Sequence, residues 1–328
     1  MGETRINKWD NIKFNMILCV VIGHMIYLFQ DNSITAQGIY LFIYSFHMPV
    51  FIFLAGMFSK SSIRKKKTER IVQFLFIYIV MKLLETIATY TVSGKISFHF
   101  LWEDGPAWFA LAIAVFLAAT MLVVDYDWKS IMAFAILIGC VAGLDTHFGD
   151  HFASMRICVF YPVFLAGYYI DRHKFELKSK SEKFLSKIVS YMVMAIVFLI
   201  FMMRTEQLYP LLKLFKGKYE YAEMDMAIDG LFFRLGCYAL WAVLICSVIF
   251  IGADGKRIFT WLGKRSMAIF IWHGLFVTLI MRTFKVKSLI LTELPHTYLI
   301  CAICIAIGIT VICAYLPEFR IFQRKIKQ

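Results

Sequence analysis

Long runs of apolar residues, separated by shorter polar segments, fill most of the sequence. A helix of about 20 mostly apolar residues can cross a bilayer, and each run approaches that length. The pattern predicts an all-α, polytopic integral membrane helical bundle of about ten transmembrane helices, with residues 1–328 as a single domain. The predicted spans are 11–29, 38–58, 71–91, 105–124, 130–146, 152–170, 187–203, 227–251, 265–283 and 297–316.

Basic residues are distributed unevenly between these spans. Of the 35 Lys and Arg residues, 23 lie in segments on the N-terminal side and 8 lie in the alternate segments. Segments rich in Lys and Arg stay in the cytoplasm. We therefore predict that both termini are cytoplasmic and that the chain is a multi-pass protein of the cell (inner or plasma) membrane.

The composition agrees with a membrane protein. Hydrophobic residues make up 60% of the chain and its mean hydropathy is +0.70, whereas soluble domains are about 45–50% apolar. The net charge of +13 is explained by the positive-inside pattern, so no nucleic-acid partner is predicted. The eight cysteines, including Cys301 and Cys304, lie mostly within apolar runs and are expected to pack there. No metal site is predicted.

The basic run from Arg64 to Lys67 has two interpretations. Its simplest role is a cytoplasmic anchor against anionic membrane lipid. Arg64, Lys65 and Lys66 are also candidate binding residues for a cofactor that carries several phosphates.

Ionisable side chains within the spans are costly in a bilayer, so each of them is a candidate functional residue. They are Lys13, His24, His47, Lys82, Glu85, Arg156, Asp229, Arg234 and His273.

Lys13 and His24 are the first of these candidates. They lie eleven positions apart, which is about 1100° of helical rotation and therefore places them on one helix face, roughly 16 Å apart along the axis. One face of the first span then joins a cytoplasmic cation to a deep imidazole. The alternative is a snorkelling lysine and a hydrogen-bonded structural histidine.

His47 lies near the middle of the second span, and Pro49 two residues later is expected to kink that helix. Arg156 and Arg234 lie in the outer halves of their spans. They are candidates to bind an anionic or hydroxyl-rich substrate, and the alternative is a capping or snorkelling role. His273 is a candidate for substrate binding or for packing around Gly274.

Lys82 and Glu85 lie three positions apart, so they are predicted to form an ion pair on one helix face. Glu85 and Trp108 are also included among the candidate substrate-binding residues.

Together these side chains suit a group-transfer reaction. An imidazole titrates near neutrality, so His24 can accept the proton of a hydroxyl that attacks an acyl carbon. Lys13 can meet the phosphates of an activated donor. The sequence contains no GxSxG elbow, HExxH motif or Walker loop, which argues against the familiar hydrolase, metalloprotease and ATPase mechanisms.

Four stretches carry a likeness to a known family: WDNIKFNMILCVVIGH, FHMPVFIFLAGMF, YPVFLAGYYID and SMAIFIWHGLF. They resemble motifs of the membrane acyltransferase-3 superfamily, especially sugar O-acetyltransferases similar to fucose 4-O-acetylases. The resemblance implies acetyl-CoA or another acyl-CoA as donor, and a cell-surface glycan or its lipid-linked precursor as acceptor. By position it implies that Lys13 and His24 form the catalytic-region pair, and that His47 and His273 occupy motif positions.

Two other functions are compatible with the sequence. A proton-coupled secondary transporter would use His24, His47 and Glu85 as a relay, although we find no convincing repeat between the two halves of the chain. The second is a non-catalytic membrane protein with a degenerate acyltransferase fold.

Segment 204–226 is rich in tyrosine and charged residues, so it is expected either to stack on a sugar or to lie at the lipid interface. No oligomeric state is predicted.

Overall fold

The computed structural model describes residues 7–96, 98–100, 102–103, 105–145, 151–175, 179–294 and 297–319. The regular structure of these residues is helical, apart from an isolated bridge between Trp102 and His151. The all-helical prediction is therefore confirmed.

The helices of the first half are α1 (Asn7–Tyr27), α2 (Ile34–Tyr44), α3 (His47–Met57), α4 (Lys60–Arg64), α5 (Glu69–Ser93), α6 (Trp108–Val123), α7 (Trp128–Val141) and α8 (Ser154–Tyr169). Those of the second half are α9 (Lys180–Met203), α10 (Thr205–Leu208), α11 (Leu211–Lys216), α12 (Asp229–Ile251), α13 (Thr260–Lys264), α14 (Ser266–Thr278), α15 (Val286–Glu293) and α16 (Tyr298–Ala314). A π-helical turn, Leu279–Thr283, continues α14.

Local sequence sets several helix ends. The Ser33 hydroxyl accepts from the backbone amides of Thr35 and Ala36 and so caps the start of α2. Ser179 opens α9 as part of a capping box with Glu182. α5 ends at Gly94, whose φ of +67° suits a residue without a Cβ.

Each predicted span except the second coincides with one helix or with a helix and its short continuation, and the second, 38–58, covers parts of α2 and α3. Within the described part of the chain, five stretches are long and apolar enough to cross a membrane: Ile34–Met57, Glu69–Ser93, Lys180–Met203, Asp229–Ile251 and Ser266–Thr283. Three shorter apolar helices are Trp108–Val123, Trp128–Leu144 and Tyr298–Ala314. The chain is thus a helical membrane protein, while the number of ten spans remains a prediction.

The second predicted span is broken rather than continuous. α2 ends at Tyr44 and α3 begins at His47. Pro49 explains the break, because its ring would clash with the carbonyl of Ser45 in an unbroken helix. In the first turn of α3 the missing N–H of proline costs no helical hydrogen bond. The break places His47 at a helix start, where its side chain is free to turn back toward α2.

α3 and α8 cross at very close range through two glycines. A Cβ on Gly56 would lie 2.1 Å from the Phe164 carbonyl oxygen, and a Cβ on Gly167 would lie 2.0 Å from the Phe53 carbonyl oxygen. Only glycine at both positions lets the two backbones meet, as at other small-residue crossings in membranes.

The first and last described residues lie at one end of the bundle, which we call the N-terminal end. The Asn11 side chain bonds to the Ala253 carbonyl and the Thr260 hydroxyl near the start of α13. Arg265, next to α13, donates to the Ala314 and Leu316 carbonyls after α16. This placement agrees with termini on a common side, and the side of the membrane remains a prediction.

Candidate active site

A cavity of about 620 Å³ opens at the opposite end of the bundle, which we call the cavity end. Its volume lies in the range of small-molecule sites, about 300–1,000 Å³. Side chains from α1, α2, α3, α5, α8 and α14 line it, together with the segments that precede α6 and follow α11. The lining combines aromatic rings with basic groups, so the cavity suits a polar ligand with apolar faces.

Six of the residues proposed from the sequence line this cavity. They are His24, His47, Lys82, Glu85, Trp108 and Arg156. They come from five different helices, and the fold alone brings them together.

His24 projects into the cavity from the last turn of α1 and is half-buried. Its ring centre lies 5.1 Å from that of His273, and the two planes are tilted by 49°. His273 is fully buried behind it, at 0% exposure. The two imidazoles therefore form a pair, one ring facing the cavity and the other enclosed by protein.

The tautomer of neutral His273 follows from its hydrogen bonds. Its Nδ1 lies 2.8 Å from the Phe270 carbonyl oxygen, and a carbonyl only accepts, so Nδ1 carries the proton. Nε2 is buried and has no hydrogen-bond partner among the described residues. The ring that adjoins His24 therefore carries an unpartnered lone pair.

The ring of His47 is also oriented by a hydrogen bond from its Nδ1 to a backbone carbonyl. Its Nδ1 donates to the Ile43 carbonyl at 2.7 Å, and the same carbonyl accepts from the Phe46 backbone amide. Its ring packs edge-on against Tyr44, with ring centres 4.7 Å apart. His47 thus presents Nε2 to the cavity as an acceptor when the ring is neutral.

Lys82 forms the predicted ion pair with Glu85, at 3.3 Å. It also pairs with Glu103 at 3.3 Å, and the Glu103 carboxylate accepts from the Tyr78 hydroxyl at 2.6 Å. Burial raises the pKa of the Glu103 carboxyl, while Tyr78 and Lys82 lower it less strongly. The predicted pair is therefore part of a larger buried cluster.

Arg156 adjoins this cluster. It donates to the Glu103 backbone carbonyl at 3.0 Å and lies over the Trp108 ring, 5.0 Å from its centre. Glu85 accepts from the Ala107 backbone amide. These contacts tie the segment before α6 to α5 and α8 and so form one wall of the cavity.

The remaining candidates lie elsewhere. Lys13 is at the N-terminal end, 3.7 Å from the Asp10 carboxylate and over the Phe58 ring. Exposed Arg64, Lys65 and Lys66 follow Phe58 at that same end. Within the described lining of the cavity, none of these four residues appears.

Arg234 is fully buried in α12 and does not line the cavity. Its Nη1 donates to the Leu214 carbonyl at 2.6 Å, whereas its Nε and Nη2 have no hydrogen-bond partner among the described residues. The bond joins α12 to the end of α11.

Several cavity residues were not identified from the sequence. Lys216, Lys218 and Tyr219 lie at and after the end of α11, and Arg282 lies in the π-helical turn. His99 and Trp102 come from the segment between α5 and α6. The sequence marks segment 204–226 as rich in tyrosine, but it does not show which of these side chains face the cavity. Tyr221, for example, is buried and donates to the Cys140 carbonyl.

The chain matches a known protein family. The sequence model of a family described as an acyltransferase domain matches residues 6–315, nearly the whole chain. The chain therefore belongs to the membrane acyltransferase-3 family and is a membrane acyltransferase. No curated protein and no solved structure matches the chain.

Proposed function

We propose that the chain transfers an acetyl or other short acyl group from acyl-CoA to a hydroxyl of a cell-surface glycan or its lipid-linked precursor. The observation that carries the proposal is the placement of His24, whose ring faces a cavity large enough for a sugar and is backed by a second buried imidazole. A base in such a position can meet an acceptor hydroxyl directly.

In the proposed step the acceptor oxygen attacks the acyl carbonyl carbon while His24 takes the hydroxyl proton. A carbon–oxygen bond forms, and the carbon–sulfur bond of the thioester breaks. The leaving thiolate takes the proton from His24 and departs as the free thiol, so the imidazole returns to its neutral form. Arg156, which also lines the cavity, is proposed to stabilise negative charge that develops on the acyl oxygen.

His273 is proposed to position His24 rather than to meet substrate. One ring nitrogen of His24 would donate its N–H to the buried Nε2 of His273. The other ring nitrogen of His24 would then keep its lone pair and face the cavity. Such hydrogen bonds often tighten only in the loaded enzyme. The pair would thus fix the tautomer that a general base needs.

The donor is proposed to approach from the N-terminal end, where Lys13 and the run Arg64–Lys66 can meet its phosphates. On α1 the cavity lining begins at Val20. Between Lys13 and Val20, Met16 and Ile17 are buried in the core. Along α1, buried side chains therefore separate Lys13 from the cavity, and we propose that they move when the thioester approaches His24.

The proposal is tested by thiol release from acetyl-CoA, with purified protein in nanodiscs and a cell-envelope glycan extract as acceptor. Wild-type protein and a His173→Ala control, altered at an exposed histidine far from the cavity, should release free CoA. His24→Ala should reduce release by about 100-fold or more, the usual contribution of a general base. Equal release by His24→Ala and wild type would overturn the role of His24.

An acyl-histidine intermediate is the mechanistic alternative. Radiolabelled acetyl-CoA mixed with protein alone distinguishes the two mechanisms. A general base leaves the protein unlabelled without acceptor, whereas stable label on His24 would support the covalent mechanism. Proton-coupled solute uptake into proteoliposomes without any thiol release would instead support a transporter.

A further inference from the structure

A second hollow, of about 360 Å³, lies on the side of the bundle between α11 and α12, and we call it the side groove. Three residues of α11 and five of α12 line it, with spacings that place them on one face of each helix. The described lining is apolar throughout: Leu211, Leu214, Phe215, Phe232, Phe233, Gly236, Cys237 and Leu240. The side groove therefore suits a hydrocarbon better than a polar molecule.

The side groove has a buried floor and an open rim. Leu214, Phe215 and Cys237 are buried, whereas Phe232 and Phe233 are 69% and 48% exposed. α12 is one of the helices long and apolar enough to cross a membrane. Side chains exposed on such a helix meet lipid hydrocarbon, so the side groove opens to the bilayer.

Gly236 keeps the middle of the side groove open. A Cβ on this residue meets no described atom within 4 Å, so no close helix crossing accounts for the glycine, in contrast to Gly56 and Gly167. Glycine destabilises a helix interior relative to alanine. A side chain at position 236 would project into the side groove and fill it.

The side groove adjoins the cavity. Phe215 lines both spaces, and the next residue, Lys216, lines the cavity. The end of α11 is therefore a wall that the two spaces share. A molecule with a polar head in the cavity and an apolar chain would find the side groove on the other face of this wall.

Both spaces lie toward the same end of the bundle. α12 begins near the cavity end, because Lys218 and Tyr219 in the segment before it line the cavity. It ends near the N-terminal end, where the Ala253 carbonyl accepts from Asn11. The groove residues of α12 lie between 232 and 240, in the half of the helix nearer the cavity end. An acceptor bound in the cavity would thus keep its chain in the leaflet on that side.

From this arrangement we infer that the acyl acceptor is a lipid-linked sugar, whose sugar lies in the cavity beside His24 and whose hydrocarbon chain leaves through the side groove. The inference rests on the proposed function and chooses between its two acceptors. A finished glycan that has been released from lipid has no apolar part to occupy the side groove, whereas the precursor still bound to its lipid has one.

The side groove serves the chain as an exit rather than as a source of binding energy. Lipid hydrocarbon is as apolar as the groove lining, so transfer of a chain from the bilayer to the side groove gains little free energy. The side groove matters because a chain attached to a sugar in the cavity has to leave the protein at some point. A block there should therefore weaken use of a lipid-linked acceptor more than use of the same sugar without its lipid.

The experiment blocks the side groove with Gly236→Leu, for which the described neighbours leave room. Gly308→Leu is the matched control, because it places the same side chain on an exposed face of α16, where a Cβ also meets nothing within 4 Å. Proteoliposomes receive acetyl-CoA with the lipid-linked sugar fraction of the cell envelope, or with the same fraction after the lipid has been removed by hydrolysis. Thiol release is measured against acceptor concentration.

Wild-type protein should prefer the lipid-linked fraction to the lipid-free one in kcat/KM. Gly236→Leu should reduce this preference by about tenfold, which corresponds to about 1.4 kcal/mol, mainly through a higher KM for the lipid-linked acceptor. Gly308→Leu should keep the preference of wild type. Thermal unfolding of the two variants should be alike.

Photolabelling tests the side groove without turnover. An alkyl β-glucoside and a phosphatidylcholine carry the same diazirine at the end of the same chain, and peptide mass spectrometry locates the label. The glucoside should label residues 232–240 more strongly than the phosphatidylcholine does in wild type and Gly308→Leu. Gly236→Leu should lose this label, and the lipid-linked sugar fraction should compete for it in wild type.

Equal labelling of residues 232–240 by both probes would make the side groove a site for bilayer lipid only and overturn the inference. A preference for the lipid-linked acceptor that is absent in wild type, or unchanged in Gly236→Leu, would also overturn it. Competition for the label by palmitoyl-CoA alone would assign the side groove to a donor chain. Absence of thiol release with either fraction contradicts the proposed function, whereas equal release with both loses only the lipid-linked acceptor.

Discussion

The intramembrane histidines differ in what each nitrogen can do. His47 and His273 each donate Nδ1 to a backbone carbonyl one turn earlier, at 2.7 and 2.8 Å. Their rings are therefore fixed with Nε2 as the remaining acceptor. The ring of His24 makes no hydrogen bond among the described contacts and faces the cavity. Both ring nitrogens of His24 are therefore available, whereas His47 and His273 each keep only Nε2.

The positioning role of His273 gives a prediction. His273→Phe fills the same space and removes the lone pair beside His24, so kcat should fall by about tenfold for a lost hydrogen bond of roughly 1.4 kcal/mol. The acceptor KM should change little, because His273 does not line the cavity. Steady-state kinetics measure both quantities.

Phe276→Leu is the matched control, since it changes an apolar neighbour on α14 and leaves both imidazoles intact. A fall in acceptor affinity at unchanged kcat would contradict a positioning role for His273 and favour a substrate-binding one.

At the residue scale, the sequence predicts neighbours that share a helix and fails for partners joined by the fold. Lys82 and Glu85 are three positions apart, and their ion pair follows from helix geometry. Glu103, which lies between α5 and α6, completes the same cluster. Lys216 lies between spans, where a lysine is ordinary, and only the tertiary structure places it among three tyrosines.

At the scale of elements, the crossing of α3 and α8 supports the cavity. α3 carries His47 and α8 carries Arg156. Their backbones meet through Gly56 and Gly167, so a shift at this crossing would separate two walls of the site.

Gly167→Ala should destabilise the protein. The added Cβ would lie 2.0 Å from the Phe53 carbonyl oxygen, and overpacking of this kind costs about 1–3 kcal/mol. The melting temperature in detergent should fall. Gly308→Ala is the control, because a Cβ on Gly308 meets nothing within 4 Å and alanine favours a helix. A melting temperature for Gly167→Ala at or above that of Gly308→Ala would contradict the close crossing.

Element positions were largely predictable, whereas their interruptions were predictable only in part. Apolar runs of helical length mark the helices because the bilayer demands them. Pro49 signalled irregularity in the second span, although the result is a break at Ser45–Phe46 rather than a kink. No proline marks the π-helical turn Leu279–Thr283, which carries Arg282 into the cavity lining.

At the scale of the whole molecule, the two ends of the bundle differ. The N-terminal end carries Lys13 and the run Arg64–Lys66, and the cavity end carries the histidines with their cations. The proposed transmembrane reaction needs this separation, because its donor and acceptor would arrive from opposite sides.

The predicted orientation can be tested by labelling. Lys65→Cys lies in the basic run, and Ser288→Cys lies in α15 between α14 and α16. A membrane-impermeant thiol reagent applied to intact cells should label Ser288→Cys and leave Lys65→Cys unlabelled until the membrane is opened. Labelling of the wild-type protein measures the background signal from its native cysteines. The reverse pattern would place the cavity on the cytoplasmic side and contradict the proposed direction of transfer.

The central claim is that His24 catalyses acylation of a surface glycan. Glycan mass spectrometry compares wild-type cells with a deletion strain and with that strain expressing His24→Ala at normal protein level. We expect the wild-type glycan to carry an acyl mass that is absent from both other strains, and that mass identifies the acyl group. Acyl content in the His24→Ala strain equal to that of wild type would contradict the account.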